Sequence, residues 1–497
     1  FNCTISYGVS QSWFYFYETS LHLISFLPTS CYTSFRYVFL VFSLEVINMS
    51  NESTKTNQIT EGVIWKQLLI FFFPIVVGTL FQQLYNTVDA VIVGRFVGKG
   101  ALAAVGGSSA VLSNLIIGCF TGLASGASVI VSQFYGAKDE RNLQKSLHTA
   151  YAFSVILSIV FTILGWALTP FLLKLIDTPA DTLADSILYL RIYFLGIFGT
   201  LIFNIGSAIM RSIGDSRRPL YYLIVCCFLN IILDLVLVIV FDMGIVGAAI
   251  ATIISQAVSA ILVTNALMKK YDDCKLYLSK LHIDLLKLRM EFRIGIPSAL
   301  QAFMYSITNI IIQAAINGFG TDTAAAWASF GKLDALFWTV NGAFGIAITT
   351  FAGQNYGAGK KERIFKSVRI CLAMAVAVCG GIVLFLAIFC RPLFSIFTTD
   401  QNVINIGIDM LRFMAPCYTI YVFIEVLSGA LRGTGDVLLP TLITLGGVCL
   451  IRIPWIMFVL PAHHTTTCVM LSYPISWITT TALIIPYYLY RKKHAYD

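Results

Sequence analysis

The 497-residue sequence predicts an all-α integral membrane protein, with twelve transmembrane helices in two six-helix bundles related by pseudo-two-fold parallel repeats. Three observations carry this. The chain is 58% hydrophobic and 12% charged, with a mean hydropathy of +0.81, whereas a soluble domain carries about 25% charged residues. Twelve apolar runs of about 20 residues follow Trp65, each long enough to cross a bilayer as a helix. Two separate motifs recur at a single offset along the chain.

The first stretch stands apart. Residues 1–48 are aromatic and Ser-rich without the ordered regions of a signal peptide, and the first Met is Met49. The expectation is that residues 1–48 extend the chain upstream of its true start, a genuine extra membrane-associated segment being the alternative, and that a cytoplasmic N-terminal segment follows over 49–64. A first bundle follows over 65–268, a cytoplasmic linker over 269–291, a second bundle over 292–490 and a cytoplasmic tail over 491–497. The twelve spans centre near Thr79, Leu115, Leu157, Leu201, Leu233, Ser255, Asn309, Val340, Val378, Tyr418, Thr444 and Ile478. Barrel strands would read as alternating segments of about 10 residues, a pattern that is lacking here.

Basic residues cluster in alternate loops: Lys138 to Lys145, Arg211 to Arg218, Lys269 to Arg293, Lys360 to Lys366, and the tail Arg491 to Lys493. The intervening loops are poor in Lys and Arg. This places both termini on the cytoplasmic side of the cell membrane, and it turns the +8 net charge from a nucleic-acid signal into a topology signal. The cysteines lie mostly in apolar runs, as Cys226, Cys227, Cys379 and Cys449 do, and read as small hydrophobes.

The repeat is explicit. "SQFYGAKDERNLQKS" starts at Ser132 and "GQNYGAGKKERIFKS" at Gly353 (353 − 132 = 221); "SAIMRSIGDSRRP" starts at Ser207 and "SGALRGTGDVLLP" at Ser428 (428 − 207 = 221). Six spans per half keep the two halves in the same orientation, so the repeats are parallel.

Charges inside the spans are costly, roughly 3 kcal/mol for an Asp on insertion scales, and so point to function. Gln82, Asn86 and Asp89 fall at i, i+4 and i+7 on the first span. Asn230 and Asp234 share a face of the fifth, and Thr252 and Gln256 a face of the sixth. Asp89, Asn230, Asp234 and Thr252 all offer oxygens, the donors that a hard cation such as Na⁺ takes, and two close carboxylates equally make a proton site. Packing held by Asn, Thr and Tyr hydroxyls is the structural alternative. Pro74, fifteen residues before Asp89, marks a kink that is either static or a bending point. The second half lacks these acids: pairing Pro74 with Pro297 (297 − 74 = 223) sets Asp89 against Ile312, and the offset of 221 sets Asp234 against Trp455. Its seventh span, "GIPSALQAFMYSITNIIIQ", is read as carrying none. Glu425, in the tenth span, either bridges to Lys332 or meets a cationic substrate. Tyr305, Phe330, Trp338 and Tyr421 could stack on a flat cation. Lys332 and Asp334, two apart, point to different faces.

"LYNTVDAVIVGRFVG" with the QFYGA/QNYGA and RSIGD/RGTGD pairs resembles the multidrug and toxic compound extrusion (MATE) family from Trp65 to Lys493. The resemblance implies an antiporter that expels small amphipathic, often cationic drugs against inward H⁺ or Na⁺, with no cofactor beyond the coupling ion. It also implies that Asp89, Asn230, Asp234 and Thr252 form the cation site, as metal ligands in the Na⁺ case, and that Pro74 sits where the first helix bends. Gln82, Asn86, Gln256 and Glu425 are the remaining substrate or gating candidates. The expected partners are the bilayer and the drugs, with no nucleic acid, and the expected state is a monomer. No catalytic residues are assigned: HExxH, Walker A and nucleophile–base patterns are lacking, and the protein is not expected to be an enzyme. Gly214 and Gly435 suit tight turns, with Asp215 and Asp436 as helix caps. A lipid or polysaccharide flippase of the same superfamily is the alternative, for which several cavity arginines would be expected.

Overall fold

In the computed structural model the described residues are 59–176 and 178–494. The expectations for residues 1–48, and for the following segment up to Gln58, lie outside them. Twelve helices are long and apolar enough to span a membrane. They are α1 (Ile64–Val97), α2 (Lys99–Gly136), α3 (Glu140–Leu175), α4 (Ala180–Ser212), α5 (Arg217–Val240) and α6 (Gly244–Lys269) in the first half. In the second half they are α7 (Leu285–Asn317), α8 (Thr321–Gly357), α9 (Lys361–Ile388), α10 (Gln401–Gly433), α11 (Leu438–Val459) and α12 (Thr466–Lys493). Each predicted centre falls inside one of them, and no strand occurs among the described residues.

Local chemistry sets the helix ends. Asp139 accepts from the Asn142 N–H at 3.1 Å and opens α3. Asp284 accepts from Leu286 N and Lys287 N at 3.0 and 3.2 Å and opens α7. Asp215 accepts from Arg217 N and Arg218 N at the start of α5, satisfying N–H groups that have no partner within the helix. Gly214 and Gly435 close α4 and α10 with φ of +96° and +89°, a conformation that a side chain resists. Asp436 departs from expectation. Its carboxylate takes the Tyr487 hydroxyl at 2.6 Å and Arg491 Nε at 2.8 Å, so it ties the α10–α11 turn to α12 rather than capping α11. Wide π turns end α1 (Val93–Val97) and α5 (Leu235–Val240), and two occur in α11 (Leu445–Cys449 and Trp455–Val459). Such turns often mark functional positions.

Helix α7 begins at Leu285 and therefore takes in Glu291, which is 4% exposed. The seventh span therefore does carry an acid, contrary to the expectation that it has none. The run "KLRMEFR" looks like loop by hydropathy, but the Asp284 cap starts the helix before the lipid-facing stretch begins.

The halves form two lobes, each with its own apolar core. They meet where α2 packs on α7 and α8, and where α1 packs on α8. Backbones approach closely there: a Cβ at Gly122 would strike Ala299, one at Gly126 would strike Glu291 O, and one at Gly136 would strike Gln354 O. Near the turns that carry the basic loops, Gln133 Nε2 donates to Gly433 O and Gln354 Nε2 to Ser212 O, across the lobes.

Helix α1 belongs to both lobes. Its first part, Ile64, Leu68, Phe71, Phe72 and Ile75, lies in the second lobe's core, with Phe72 stacked on Phe344 at 4.0 Å between ring centroids. Its later part, Ile92 and Val93, lies in the first lobe's core, and Gly78 already faces Leu220 and Leu223 of α5. Pro74 stands at the changeover, and the helix runs through it unbroken. Ahead of α1, Arg363 of α9 donates to the carbonyls of Ile59, Glu61 and Gly62 and fixes the lead-in to the second lobe.

Candidate functional site

Three helices of the first lobe bring together the residues singled out by spacing. Helix α1 packs on α5, α5 on α6, and the π turn of α1 touches both that of α5 and α6. At this junction Asp89, Asn230, Asp234, Thr252 and Gln256 are all buried, Asn230 and Asp234 completely. The two acids are thus carried to one junction, where α1 packs on α5 and their π turns touch.

The polar groups there are not satisfied by the protein. Asp89 Oδ1, both Asp234 oxygens, Asn230 Oδ1 and Gln256 Oε1 lack a hydrogen-bond partner, against one unpartnered donor, Asn230 Nδ2. Thr252 sends its proton to Ala248 O at 3.1 Å, leaving its oxygen free to accept. Buried polar groups are normally paired, and each orphan costs about 1–3 kcal/mol. An excess of acceptors over donors is the pattern that a cation or a proton relieves, and oxygen-only donors fit Na⁺. Among the described residues no group of three or more His, Cys, Asp or Glu side chains is placed to hold a metal, so any ion here rests on two carboxylates plus neutral oxygens.

The rest of the first-span stripe separates from this cluster. Gln82 and Asn86 are exposed while Asp89 is buried; helical phase put them on one face, but burial changes along that face.

Glu425 does not bridge to Lys332. Its partner is Arg432 of its own helix, at 3.9 Å, and its carboxylate lies against Gly345 of α8, whose lack of a side chain makes room. Lys332 is exposed. Arg432 and its repeat counterpart Arg211 both line a cavity of about 410 Å³ between the lobes, together with Asn204, Gln301, Thr349 and Tyr305. A second cavity, also about 410 Å³, lies within the second lobe. Tyr305, Phe330, Trp338 and Tyr421, the four aromatics noted in the sequence, all line it, with Asp334 and Arg452. Tyr305 is common to both walls.

The MatE family profile matches residues 74–236 and again 297–458, once in each half. The chain belongs to the MatE family. The two MatE matches begin at the paired prolines, Pro74 and Pro297. Among its relatives, the probable multidrug resistance protein YoeA of Bacillus subtilis (strain 168) is 27% identical over 458 residues, covering 89% of this chain and 98% of that protein. The probable multidrug resistance protein NorM of Thermotoga maritima is 28% identical over 400 residues, covering 78% and 84%. Solved MatE-like structures share the fold. A multidrug resistance MATE family transporter of the MOP superfamily, in its outward-facing conformation, superposes with a TM-score of 0.82 at 23% identity over 89% of this chain and 99% of that one. A MOP superfamily transporter from Pyrococcus furiosus does so with a TM-score of 0.82 at 22% identity, over 90% and 100%. This MatE chain is therefore a multi-pass membrane transporter.

Proposed function

We propose that the protein is a secondary active multidrug exporter of the cell membrane, with both termini cytoplasmic, working as a monomer without an organic cofactor. It couples inward movement of H⁺ or Na⁺ to expulsion of small amphipathic, often cationic compounds by alternating access. The observation that carries the coupling is the set of unpartnered oxygens of Asp89, Asn230, Asp234 and Gln256 in the first lobe. Two interacting carboxylates in an apolar surround favour a bound proton or cation. A ligand shifts a two-state balance only by its differential affinity, and compensating this site alters the state in which the lobe packs best. Thr252 and Asn230 supply neutral oxygens, so the bound ion is held without a third charge.

The seam of Gln133, Gly136, Gln354 and Gly357 lies at the end with the basic loops, which the positive-inside rule places in the cytoplasm. The conformation is accordingly closed to the cytoplasm, the state that loads the coupling ion and releases drug. Three arginines do line the two cavities, Arg211, Arg432 and Arg452, the feature expected of a flippase, but that reading is not favoured, because the relatives named above are multidrug resistance proteins by name.

The test is dye efflux from proteoliposomes under an imposed pH gradient or an imposed Na⁺ gradient, applied separately. Export driven by one of them and abolished in Asp89→Asn is the expected result. Efflux that ignores both gradients would remove the coupling reading.

A further inference from the structure

The helices that open the two halves each begin against the other lobe. The first part of α1 lies in the second lobe's core, and the first part of α7 lies on the first lobe. Asp284 N donates to Thr149 Oγ1 of α3 at 3.0 Å, and Lys287 Nζ stands 4.3 Å from the centroid of the Phe134 ring of α2. Phe292 meets Phe153 of α3 edge-on, with 4.9 Å between ring centroids. On this stretch sits Glu291, 4% exposed. It lines a small void with Phe120 and Ala124 of α2, Ala150 and Ser154 of α3, and Ile205 of α4.

These surroundings suit an uncharged acid. Glu291 Oε1 has no hydrogen-bond partner. Among the described residues, the walls that α2, α3 and α4 give the void carry no titratable side chain. Their hydroxyl, Ser154 Oγ, donates to Ala150 O at 2.8 Å. On α7 itself Lys287 stands one turn earlier, buried, yet none of the ion pairs among the described residues joins it to Glu291. Arg289 and Arg293, two residues to either side, fall on other faces and are exposed. Lys145, at the same end, pairs with Asp284 at 3.4 Å. The void measures about 10 Å³, room for about one water at most, so a carboxylate there is neither paired nor hydrated. A metal cation needs several oxygens, more than this void offers; a proton needs none. The repeat shows that packing does not require the acid. Pairing Pro74 with Pro297 sets Glu291 against Leu68 (291 − 223 = 68), which is fully buried in the second lobe's core.

We propose that Glu291 is a further proton site of the first lobe, separate from Asp89 and Asp234: it holds a proton while the start of α7 is docked, and yields it to the cytoplasm when the lobes part at the end with the basic loops. An unpaired carboxyl in apolar surroundings is most stable as the neutral acid, whereas in water it ionises above about pH 4.3. The docked form therefore binds one proton more than the parted form. Closure is favoured by acid and lost as pH rises, by about tenfold per pH unit for one proton, over the range in which the docked acid stays neutral. The contact that would part is a close one: a Cβ at Gly126 of α2 would meet Glu291 O, and one at Gly295 of α7 would meet Leu123 O. The inference rests on alternating access, because the lobes must part at this end, but the first arm of its test needs neither motion nor transport.

That arm compares infrared spectra of the purified full chain at neutral pH with those of Glu291→Gln. A protonated-carboxyl band present in the parental protein and missing from the variant is the expected result; spectra without that difference would overturn the proposal. The second arm puts spin labels, carried on p-acetylphenylalanine, in place of Arg141 and Glu362. These are exposed repeat counterparts at the end with the basic loops (362 − 141 = 221). The background is Asp89→Asn with Asp234→Asn, in which the other two acids are silent. The population with the longer distance should grow about tenfold per pH unit. Glu291→Gln should abolish that slope, and Glu291→Leu, which copies the other lobe, should keep the short distance at every pH. Equal slopes with and without Glu291, or a distance that ignores pH, would also overturn it. Ion-driven efflux by the parental protein tests the exporter reading by itself, so either can fail alone.

Discussion

Gln133 and Gln354 are repeat counterparts, 221 residues apart, and each makes the other's hydrogen bond. Gln133 Nε2 reaches Gly433 O at 2.9 Å, and Gln354 Nε2 reaches Ser212 O, the counterpart of Gly433, at 2.7 Å. The glycines repeat the symmetry: a Cβ at Gly136 would meet Gln354 O, and one at Gly357 would meet Gln133 O. One device, used twice, closes the end with the basic loops. A hydrogen bond contributes about 1 kcal/mol net. Replacing both glutamines by Ala should thus shift the closed-to-open balance by about thirtyfold, at about 1.4 kcal/mol per factor of ten. Ser128→Cys in the cavity between the lobes should then react faster with an impermeant maleimide added from the basic-loop side. An unaltered labelling rate would show that the seam is held elsewhere.

Asp89→Asn should fold and insert normally, since the amide is cheaper to bury than a carboxylate, while ion-driven efflux falls at least tenfold. Asp234→Asn should behave alike. Asn230→Ala should weaken coupling less, because it removes an oxygen and no charge. Parental efflux by a well-expressed Asp89→Asn protein under both gradients would make this acid structural.

Glu425→Gln leaves Arg432 without its acid at the cavity between the lobes. Export of cationic dyes should fall several-fold while export of neutral compounds continues. Equal loss of both, with poor expression, would assign Glu425 to packing against Gly345.

Acid should weaken the entry to α7. The backbone N–H of Lys287, with Lys145 beside it, holds the Asp284 carboxyl below its ordinary range. A carboxylate whose folded pKa is depressed stabilises fully above its unfolded value of about 3.9 and loses that contribution as pH falls through the folded value. Asp139, held down chiefly by Asn142, follows the same course at α3. Asp284→Asn should flatten the acid limb of melting temperature against pH, while the parental protein declines below about pH 4. Coincident curves would show that other groups dominate acid unfolding.

Much of the fold was legible because lipid imposes a simple rule: a span must be long, apolar and helical. The shared offset of the QFYGA/QNYGA and RSIGD/RGTGD motifs then related the halves. Helical spacing grouped Asn230 with Asp234 and Thr252 with Gln256, since residues four apart share a face. Contacts between helices were not legible. Arg452 hides in α11, a span whose mean hydropathy is 2.0, because one Arg barely lowers a window of Val, Ile and Leu. For Glu425 the sequence offers Lys332 or a cationic substrate, because it gives charges without directions, whereas its partner is Arg432, two turns along its own helix. Glu291 went unread because its basic neighbours resemble a loop.

The sharing of α1 between the lobes has a mechanical consequence. A helix resists stretching far more than bending, so α1 is a strut with one end anchored in each moving body. If the lobes exchange openings, the strain concentrates in the few residues between Ile75 and Gly78, beside Pro74, where a backbone hydrogen bond is already missing. Asp89 lies about 22 Å further along the same rod, at 1.5 Å per residue, so torque delivered at one end reaches the other through covalent structure. The lead-in at Ile59 to Gly62, clamped by Arg363, is the accessible handle of that lever. An antibody fragment that grips this lead-in together with the α8–α9 turn would stall transport as a brake on the strut, with both cavities left open to their ligands.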